Sequence, residues 1–400
     1  MTFDLVLSDA RIVTPTGVIE RGWVGVDGNR ISAVEPGPCP QGAADTHDVA
    51  GAWLGPGFID VHFHGSVGVD VMDADEEGFA ELSRFAATRG VTSFLAGTYT
   101  MDHDRTLATL QTVAGAGRRV QGGASVLGVY MEGPYLNPRR KGMQDERHLR
   151  PIDRRQAAQY LDTGVVRAMV LAPELPDSSW LIREAVERRI TAVAGHTDAT
   201  FAELEAAARE GVTAVTHAFN GMRGLHHREP GAAGAALLLD ELACEVIADG
   251  VHIAPELLKM FWRMKGPQNI ALVTDAGSFG GMADGTYTAF VDRQVSIEHG
   301  VGRLEDGTIC SSAKTFDVDF AIFSRSTYAS FDQMWPAASE VPARIAGCLD
   351  RKGTVEVGKD ADLVVLDDQG TVIGTVALGE WIARDDVDSR SVSTKAGSAQ

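Results

Sequence analysis

Residues 57–65 of the 400-residue chain read Gly-Phe-Ile-Asp-Val-His-Phe-His-Gly. An apolar run of this kind predicts a buried strand, and it ends in His62 and His64, spaced i, i+2. Because side chains alternate along a strand, this spacing puts both imidazoles on one face. Neutral imidazole binds zinc and other first-row metals, so the strand end is a candidate metal site. A lone pair of this kind is often incidental, and its interpretation depends on how the later strands end.

Seven further apolar runs follow along the chain, most of them followed by a helix-like stretch. The eight predicted strands cover residues 58–62, 91–96, 126–131, 166–171, 190–194, 212–216, 244–248 and 270–274. Strands that alternate with helices indicate parallel βα units, and eight units predict a closed (β/α)₈ barrel. The predicted fold class is therefore α/β, with the barrel at residues 56–351.

Short alternating runs near both ends of the chain predict a second, smaller unit. They lie in residues 1–55 and 352–384 and together predict a small discontinuous β-sandwich domain built from both termini. Residues 385–400 are polar and rich in serine, so we expect a disordered tail there.

Composition argues against several classes of function. The formal net charge of −19 disfavours nucleic acid or an anionic membrane as a partner. No run approaches the roughly 18 apolar residues of a membrane span, and the N-terminus carries Asp4 where a signal peptide needs a basic start. We therefore expect a cytoplasmic protein. The four cysteines are widely spaced and predict neither a disulfide framework nor a thiolate zinc site.

Residues suited to metal binding or acid–base work stand at the ends of six predicted strands. In a barrel of this type the carboxyl ends of the strands form the rim that carries the active site. The residues, in chain order, are His62, His64, Glu132, His196, His217, His252 and Asp275. Each one alone is explained by a hydrogen-bonded polar group at a strand end. All of them at one rim favour a metal-dependent catalytic site.

The segments around these residues resemble the N-acetylglucosamine-6-phosphate deacetylase family of the amidohydrolase superfamily. The matching segments are GPGFIDVHFHG (55–65), MEGPYLNPRRKG (131–142), AGHTDAT (194–200), THAFNGM (216–222), HREPGAAGA (227–235), ADGVHI (248–253), VTDAG (273–277) and GKDADLVVLD (358–367). The resemblance runs in order over nearly the whole chain. It implies a metal-bearing barrel with a small β domain from both termini.

The same resemblance implies the ligands of the metal. Glu132, His196 and His217 would hold one divalent ion, and His62 and His64 could hold a second, with Glu132 as the bridge. Two metals per subunit are therefore expected. Zinc is the first choice, although iron, manganese or cobalt fit the same ligands.

The resemblance also implies an acid–base residue and a carbonyl partner. Asp275 would take a proton from the attacking water and pass it to the leaving amine. His252 would hydrogen-bond the scissile carbonyl or the substrate and support the oxyanion. The implied reaction converts N-acetylglucosamine 6-phosphate and water to glucosamine 6-phosphate and acetate.

Substrate binding is expected at Asn220, Gly221, His227 and Arg228, the densest group of donors near the rim. Arg228 is the best candidate for a phosphate, because a guanidinium can bind two phosphate oxygens at once. In the family the equivalent arginine reaches the substrate of the neighbouring subunit, which implies a homodimer. Gln144 stands where the family has a histidine, and it predicts an altered sugar pocket.

Several alternatives remain open from the sequence. The substrate could be N-acetylgalactosamine 6-phosphate, an unphosphorylated acetamido sugar or an N-acyl amino acid. A scaffold that has lost catalysis is disfavoured, because the five metal-ligand positions and Asp275 are all present. A nucleic-acid-binding module is disfavoured by the negative charge.

Overall fold

A computed structural model describes residues 3–39, 43–115, 120–290 and 293–384 of the chain. The segment 385–400, where the sequence predicts a disordered tail, lies outside these residues. The chain begins with five strands: β1 (Leu5–Thr14), β2 (Gly17–Asp27), β3 (Arg30–Pro36), β4 (Asp45–Asp48) and β5 (Trp53–Pro56). β1 and β2 form an antiparallel hairpin, and β1 also pairs in parallel with β4 and β5.

The middle of the chain alternates strands with helices. Its elements are β6 (Phe58–Phe63), β7 (Gly65–Ser66), β8 (Val69–Asp70), α1 (Glu76–Thr88), β9 (Val91–Thr98), α2 (His103–Gly115), β10 (Ser125–Glu132), α3 (Arg154–Leu161), β11 (Val166–Leu171), α4 (Ser178–Glu187), β12 (Thr191–Ala194), α5 (Phe201–Glu210), β13 (Val212–Val215), α6 (Gly231–Leu238), β14 (Ala243–Ile247), α7 (Pro255–Lys265) and β15 (Ile270–Val273). β6 and β9 to β15 form one parallel sheet in chain order, while β7 pairs with β8. The predicted barrel architecture is confirmed.

Helix α5 illustrates how local sequence sets these elements. Thr200 begins it with a capping box, in which the Thr200 side chain accepts from the backbone of Glu203 and the Glu203 side chain accepts from the backbone of Thr200. Leu204 and Ala207 are its buried residues and pack towards the barrel. Gly211 ends the helix at φ 126, a conformation that glycine adopts at little cost. The next strand begins at once and continues the βα alternation.

The barrel closes between its last strand, β15, and its first strand, β6. Within the described chain no ladder joins these two strands, and the closure includes backbone hydrogen bonds near their carboxyl ends and a bond from Thr274 Oγ1 to Asp60 Oδ2 at 2.6 Å. The backbone N–H of Asp275 donates to the carbonyl of His62, and that of His64 donates to the carbonyl of Ala276, both at 2.9 Å. The seam is therefore closed at the rim where the candidate functional residues lie.

After β15 the chain forms a second small sheet that the sequence patterns did not predict. Its strands are β16 (Gly285–Ala289), β17 (Arg293–Glu298), β18 (Val301–Arg303) and β19 (Ile309–Ser312), paired antiparallel in that order. A parallel bridge between Ala276 and Ser312 joins this insert to the barrel rim. Strands β16 and β17 expose about every second residue, so they lack the continuous apolar run that marks the barrel strands.

The described part of the chain closes with α8 (Phe316–Thr327), α9 (Phe331–Ala338), α10 (Glu340–Ile345), β20 (Leu363–Leu366), β21 (Val372–Ala377) and β22 (Glu380–Ala383). The terminal strands form one mixed sheet in the order β22-β21-β20-β5-β1-β2-β3, with β4 beside β1. β20 pairs antiparallel with β5, which joins the two ends of the chain. The predicted unit from both termini is thus a separate mixed sheet, and its limits at residues 55 and 352 stay a prediction.

Apolar side chains fill the inside of the barrel. Ile59, Val61, Val170 and Val193 belong to this buried cluster together with Val341 from α10. Because most of the interior is packed with apolar side chains, a substrate can reach polar groups at the open rim, where the carboxyl ends of the strands lie. Among the described residues no helix combines the length and the apolar character that crossing a bilayer requires.

Candidate metal centre and catalytic site

Five histidine and glutamate side chains converge at the carboxyl ends of four barrel strands. They are His62 and His64 from β6, Glu132 from β10, His196 after β12 and His217 after β13. His62 is completely buried and the other four are 4% exposed. They form two clusters that share Glu132, and within each cluster the candidate ligand atoms lie within 4.8 Å of one another.

The first cluster consists of Glu132, His196 and His217. Glu132 Oε1 lies 3.0 Å from His196 Nε2 and 3.1 Å from His217 Nε2, and the two Nε2 atoms are 3.0 Å apart. His196 Nδ1 lies 2.8 Å from the carbonyl oxygen of Arg140, and His217 Nδ1 lies 3.2 Å from that of Asn220. A carbonyl oxygen only accepts, so Nδ1 carries the proton in both rings and both Nε2 lone pairs face the cluster.

This arrangement fits a divalent cation. Burial alone would raise the pKa of Glu132, but its close contacts with His196 and His217 hold that pKa well below its usual value. Burial lowers the pKa of His217, but its hydrogen bond to Glu132 raises that pKa to about 9, so this cluster readily takes up positive charge between its members. A divalent cation can take the place of that proton, and the set matches the nitrogen and oxygen ligands of zinc and related metals.

The second cluster consists of His62, His64 and Glu132. His62 Nε2 and His64 Nε2 are 3.0 Å apart, as the i, i+2 spacing predicts. Each lies 3.7 Å from Glu132, His62 from Oε1 and His64 from Oε2. The His64 ring packs against Gly97, where a Cβ would lie 2.8 Å from Nδ1, so any larger residue would displace the ring. The two clusters that share Glu132 suggest a binuclear metal site.

Asp275 stands beside the second cluster. Its Oδ1 lies 3.1 Å from His64 Nε2 and 3.4 Å from His62 Nε2. Burial alone would raise the pKa of this carboxyl group, but the two histidines lower it below its usual value, so the group is ionised. Asp275, His196 and His217 all have positive φ, at 48, 44 and 25 respectively. Residues with a Cβ rarely adopt this backbone, and such strain is concentrated at functional sites.

His252 is held by a carboxylate that the sequence patterns did not single out. Its Nδ1 lies 2.6 Å from Asp249 Oδ2, and Asp249 Oδ1 accepts the backbone N–H groups of Val251 and His252 at 2.8 Å. Burial would raise the pKa of Asp249, but His252 and these backbone donors lower it. The ionised carboxylate accepts the Nδ1 proton, which leaves Nε2 as the free ring nitrogen of His252.

Gln144 contacts the metal-ligand set directly. It is 2% exposed, and its Oε1 accepts the backbone N–H of Thr100 at 2.7 Å. Its Nε2 donates to Glu132 Oε2 at 2.6 Å. The backbone bond fixes which end of the amide faces Glu132, so Gln144 orients the shared carboxylate.

A cavity of about 140 Å³ opens above the two clusters. Its wall includes His64, Tyr99, Glu132, Met143, Gln144, His196, His217, Asn220, Gly221, His252, Asp275 and Phe290. The cavity therefore brings together four of the five candidate ligands, Asp275, His252 and three of the five other residues predicted to bind substrate, while His62 lies beneath its wall. The insert after β15 contributes Ile309 and Cys310 to the same wall.

His227 and Arg228 lie away from this wall. Both are exposed, in the stretch between β13 and α6, and Arg228 Nη1 contacts His227 Nε2 at 2.8 Å. Leu225 in the same stretch is 59% exposed. Within this chain, the arginine predicted to bind the phosphate thus does not meet the candidate residues on the cavity wall.

A buried polar network beneath the second cluster was also missed from the sequence. Glu245 Oε2, from the middle of β14, lies 3.1 Å from His62 Nδ1 and 2.9 Å from both the Tyr130 hydroxyl and Thr216 Oγ1. All four side chains have no exposed surface. The signal in the sequence is an acidic residue inside an otherwise apolar strand, Ala-Cys-Glu-Val-Ile.

Comparison with known proteins assigns the family. Residues 53–382 match the model of the amidohydrolase family. The chain is 35% identical over 385 residues to the N-acetylglucosamine-6-phosphate deacetylase of Bacillus subtilis (strain 168), an alignment that covers 95% of this chain and 97% of that one. The chain belongs to the N-acetylglucosamine-6-phosphate deacetylase family of the amidohydrolases.

Other members of the family support the same assignment. The N-acetylglucosamine-6-phosphate deacetylase of Thermotoga maritima superposes with a TM-score of 0.82 at 35% identity, covering 94% of this chain and 99% of that one. A mutant of the Mycobacterium smegmatis enzyme, in complex with N-acetyl-D-glucosamine-6-phosphate, gives 0.88 at 30% identity and covers 95% and 100%. An N-acetylgalactosamine-6-phosphate deacetylase of Escherichia coli O157:H7 is 33% identical over 364 residues, which cover 90% and 95%.

Proposed function

We propose that the protein hydrolyses the acetamide of N-acetylglucosamine 6-phosphate to give glucosamine 6-phosphate and acetate. The observation that carries this proposal is the position of Asp275, 3.1 Å from His64 on the edge of two buried metal-ligand clusters that face one cavity. Membership of the deacetylase family supplies the reaction class. A barrel that had only kept its packing would have no need for buried, convergent lone pairs.

We assign two divalent metals to each chain, with Glu132, His196 and His217 holding one and His62, His64 and Glu132 holding the other. Zinc is our first choice, because histidine and carboxylate ligands suit it, and iron, manganese or cobalt are compatible. When bound, such an ion lowers the pKa of a coordinated water to about 7 and polarises a carbonyl oxygen. Gln144 would keep the shared carboxylate of Glu132 in place for both ions.

Asp275 is our candidate for the acid–base residue. One proton of the attacking water passes to its carboxylate as the water oxygen bonds to the acetamide carbon. The same carboxyl group then protonates the amide nitrogen, and the carbon–nitrogen bond breaks with release of a neutral amine. Since Oδ1 faces His64 and His62, we assign the travelling proton to Oδ2.

His252 is our candidate for orienting the substrate. His252 Nδ1 donates a hydrogen bond to Asp249, so Nε2 of the neutral ring can accept a hydrogen bond from a sugar hydroxyl. Nε2 can donate to the carbonyl oxygen only after the ring takes up a second proton. Asn220 and Gly221 line the cavity opposite and would contact the sugar. Gln144 has its amide committed to Thr100 and Glu132, so we expect it to act on the sugar mainly through the position of Glu132.

For the phosphate we propose Arg228, acting across a subunit contact. Its side chain is exposed and lies outside the cavity wall of its own chain, which suits a group that serves the neighbouring subunit. A homodimer of a cytoplasmic enzyme follows as part of this proposal. His227 beside it would hold the guanidinium or contact the phosphate itself.

A substrate panel tests the proposal. The purified full-length protein, supplied with zinc, is assayed for amine release from N-acetylglucosamine 6-phosphate, its galacto epimer, the two unphosphorylated sugars and several N-acetyl amino acids. We expect the phosphorylated glucosamine derivative to give the highest kcat/KM. Preference for the galacto epimer would select the second candidate, which the Escherichia coli relative supports. Release only from N-acetyl amino acids, or from no compound, would refute the proposed function.

A further inference from the structure

Glu245 lies inside the packed interior of the barrel and contacts the candidate metal ligand His62 from below. It lies in the middle of β14, and its side chain has no exposed surface. Among the described residues its ion-pair partner is His62, at 3.1 Å, and no lysine or arginine pairs with it. Its second oxygen, Oε1, is buried and has no hydrogen-bond partner.

Counting protons around Glu245 fixes the state of His62. A carboxylate accepts but cannot donate, and Oε2 faces His62 Nδ1 and the hydroxyl groups of Tyr130 and Thr216. His62 Nδ1 thus lies near two oxygens that can accept from it, Glu245 Oε2 at 3.1 Å and Thr216 Oγ1 at 3.2 Å. We therefore place the His62 proton on Nδ1. Its Nε2 lone pair then points at His64 and Glu132.

Charge balance also supports a cation in the second cluster. A buried carboxylate without a basic partner is costly, because the interior solvates charge poorly. A neutral His62 does not offset the charge of Glu245. A divalent cation in the second cluster would do so, at the other nitrogen of the same ring. The first cluster has no buried carboxylate behind its histidines, because Nδ1 of His196 and Nδ1 of His217 donate hydrogen bonds to backbone carbonyls.

We propose that Glu245 is a positioning residue that makes His62 a metal ligand and thereby sets the occupancy of the second cluster. It acts by holding the proton on Nδ1 of His62 and by supplying negative charge to offset a second divalent ion. The proposal rests on the metal site assigned under the proposed function. It implies that the two clusters respond differently to the loss of one buried carboxylate, although both share Glu132.

Metal titration of the full-length protein tests this directly. Metal-free wild type, Glu245→Gln and the control Glu241→Gln are titrated with zinc by calorimetry, and bound metal is counted after gel filtration. Glu241 is exposed and lies before the same strand, so the control removes one charge without touching the network. We expect two sites in wild type and control. In Glu245→Gln we expect one unchanged site and a second weakened about 10- to 100-fold, the usual cost of losing a carboxylate behind a histidine ligand.

A double-mutant cycle separates positioning from general damage to the fold. If Glu245 acts through His62, then Glu245→Gln in a His62→Ala background should not weaken zinc binding further. Manganese adds a spectroscopic reading, because two neighbouring manganese ions give a coupled electron paramagnetic resonance signal that a single ion lacks. We expect that signal in wild type and its loss in Glu245→Gln, with circular dichroism unchanged.

Three outcomes would overturn the inference. The first is a single zinc site in wild type. The second is equal weakening of both sites in Glu245→Gln, and the third is further weakening in the His62→Ala background. Either of the last two would mean that Glu245 supports the barrel as a whole. None of these measurements uses a sugar. Failure of the proposed deacetylase function would show up in the substrate panel alone, and a one-metal deacetylase would refute this inference while sustaining that function.

Discussion

Replacing Asp249 by Asn should impair the enzyme through His252 alone. Asn keeps the shape of the side chain, and its carbonyl oxygen can still accept the backbone N–H groups of Val251 and His252. Its amide would, however, face His252 Nδ1 with a donor where Asp249 presents an acceptor at 2.6 Å. The ring would then move its proton to Nε2, and the nitrogen that we expect to accept from the substrate would become a donor.

The size of the effect follows from the bond that is lost. The Asp249 side chain has no exposed surface and that of His252 is 6% exposed, so solvent screens the contact little. A hydrogen bond to a charged group in such a setting contributes about 1.5 to 3 kcal/mol. At about 1.4 kcal/mol for each factor of ten, we expect kcat/KM for N-acetylglucosamine 6-phosphate to fall roughly 10- to 150-fold.

The assay measures amine release over a range of substrate concentrations for wild type, Asp249→Asn, His252→Asn and the double variant. If Asp249 acts through His252, the double variant should be no worse than His252→Asn alone. A kcat/KM within about threefold of wild type for Asp249→Asn would refute the reasoning. A gain in activity would indicate that His252 works as a neutral donor to the carbonyl oxygen.

Four further predictions follow from the same geometry. Replacing His62 and His64 together by Ala should remove one metal equivalent per chain by elemental analysis, and an unchanged count would contradict the shared role of Glu132. Asp275→Asn should retain metal and substrate but lose turnover by orders of magnitude, since an amide cannot carry the proton; a kcat within about tenfold of wild type would exclude the acid–base role. Arg228→Ala should cost about 2 to 5 kcal/mol in kcat/KM for the phosphorylated sugar and almost nothing for the unphosphorylated one, and equal losses would mean that arginine and phosphate do not meet. Burial raises the pKa of Asp319 well above its usual value, and neither of its carboxyl oxygens has a hydrogen-bond partner. The neutral carboxyl group therefore contributes its full stability to the fold below about pH 4, and this contribution is lost as the pH rises towards the pKa of the folded state. Asp319→Asn cannot ionise and should raise the thermal midpoint more at pH 8 than at pH 5; the opposite order would show that the carboxylate has a partner.

The barrel could be predicted from the sequence because each of its strands is a short, continuous apolar run. Strand β11, at Val166–Leu171, has the predicted bounds, and the other seven differ by one or two residues at their ends. The rim residues could be predicted for the same reason, since a polar ligand directly after such a run is conspicuous. The alternation of strand and helix then implied that all these ends meet.

The parts that escaped prediction depend on contacts between distant segments. Glu245 interrupts an apolar run, which by itself lowers the expectation of a buried strand there. Its partner His62 lies 183 residues away, so the contact between them exists only when the barrel is closed. Asp249 is three residues from His252, and their side chains meet because the backbone turns between them, which the sequence did not predict. The insert β16 to β19 has short strands whose apolar face is narrow, since β17 buries only Val295 and Ile297 between exposed or half-exposed residues. Arg228 was grouped with Asn220 by proximity in sequence, while the fold separates it from the cavity.

The seam between β15 and β6 also bears on how the protein is assembled. At the rim, the end of the last barrel strand meets the first strand through the backbone of Asp275, His62, His64 and Ala276. The step that closes the barrel is therefore the same step that brings Asp275, the proposed acid–base residue, to the histidine pair. A partly assembled chain with the seam open has its histidines in place but no Asp275 beside them. Catalytic competence should thus arise only in fully closed molecules, and a circular permutant with its new termini in this seam would fold around an incomplete active site.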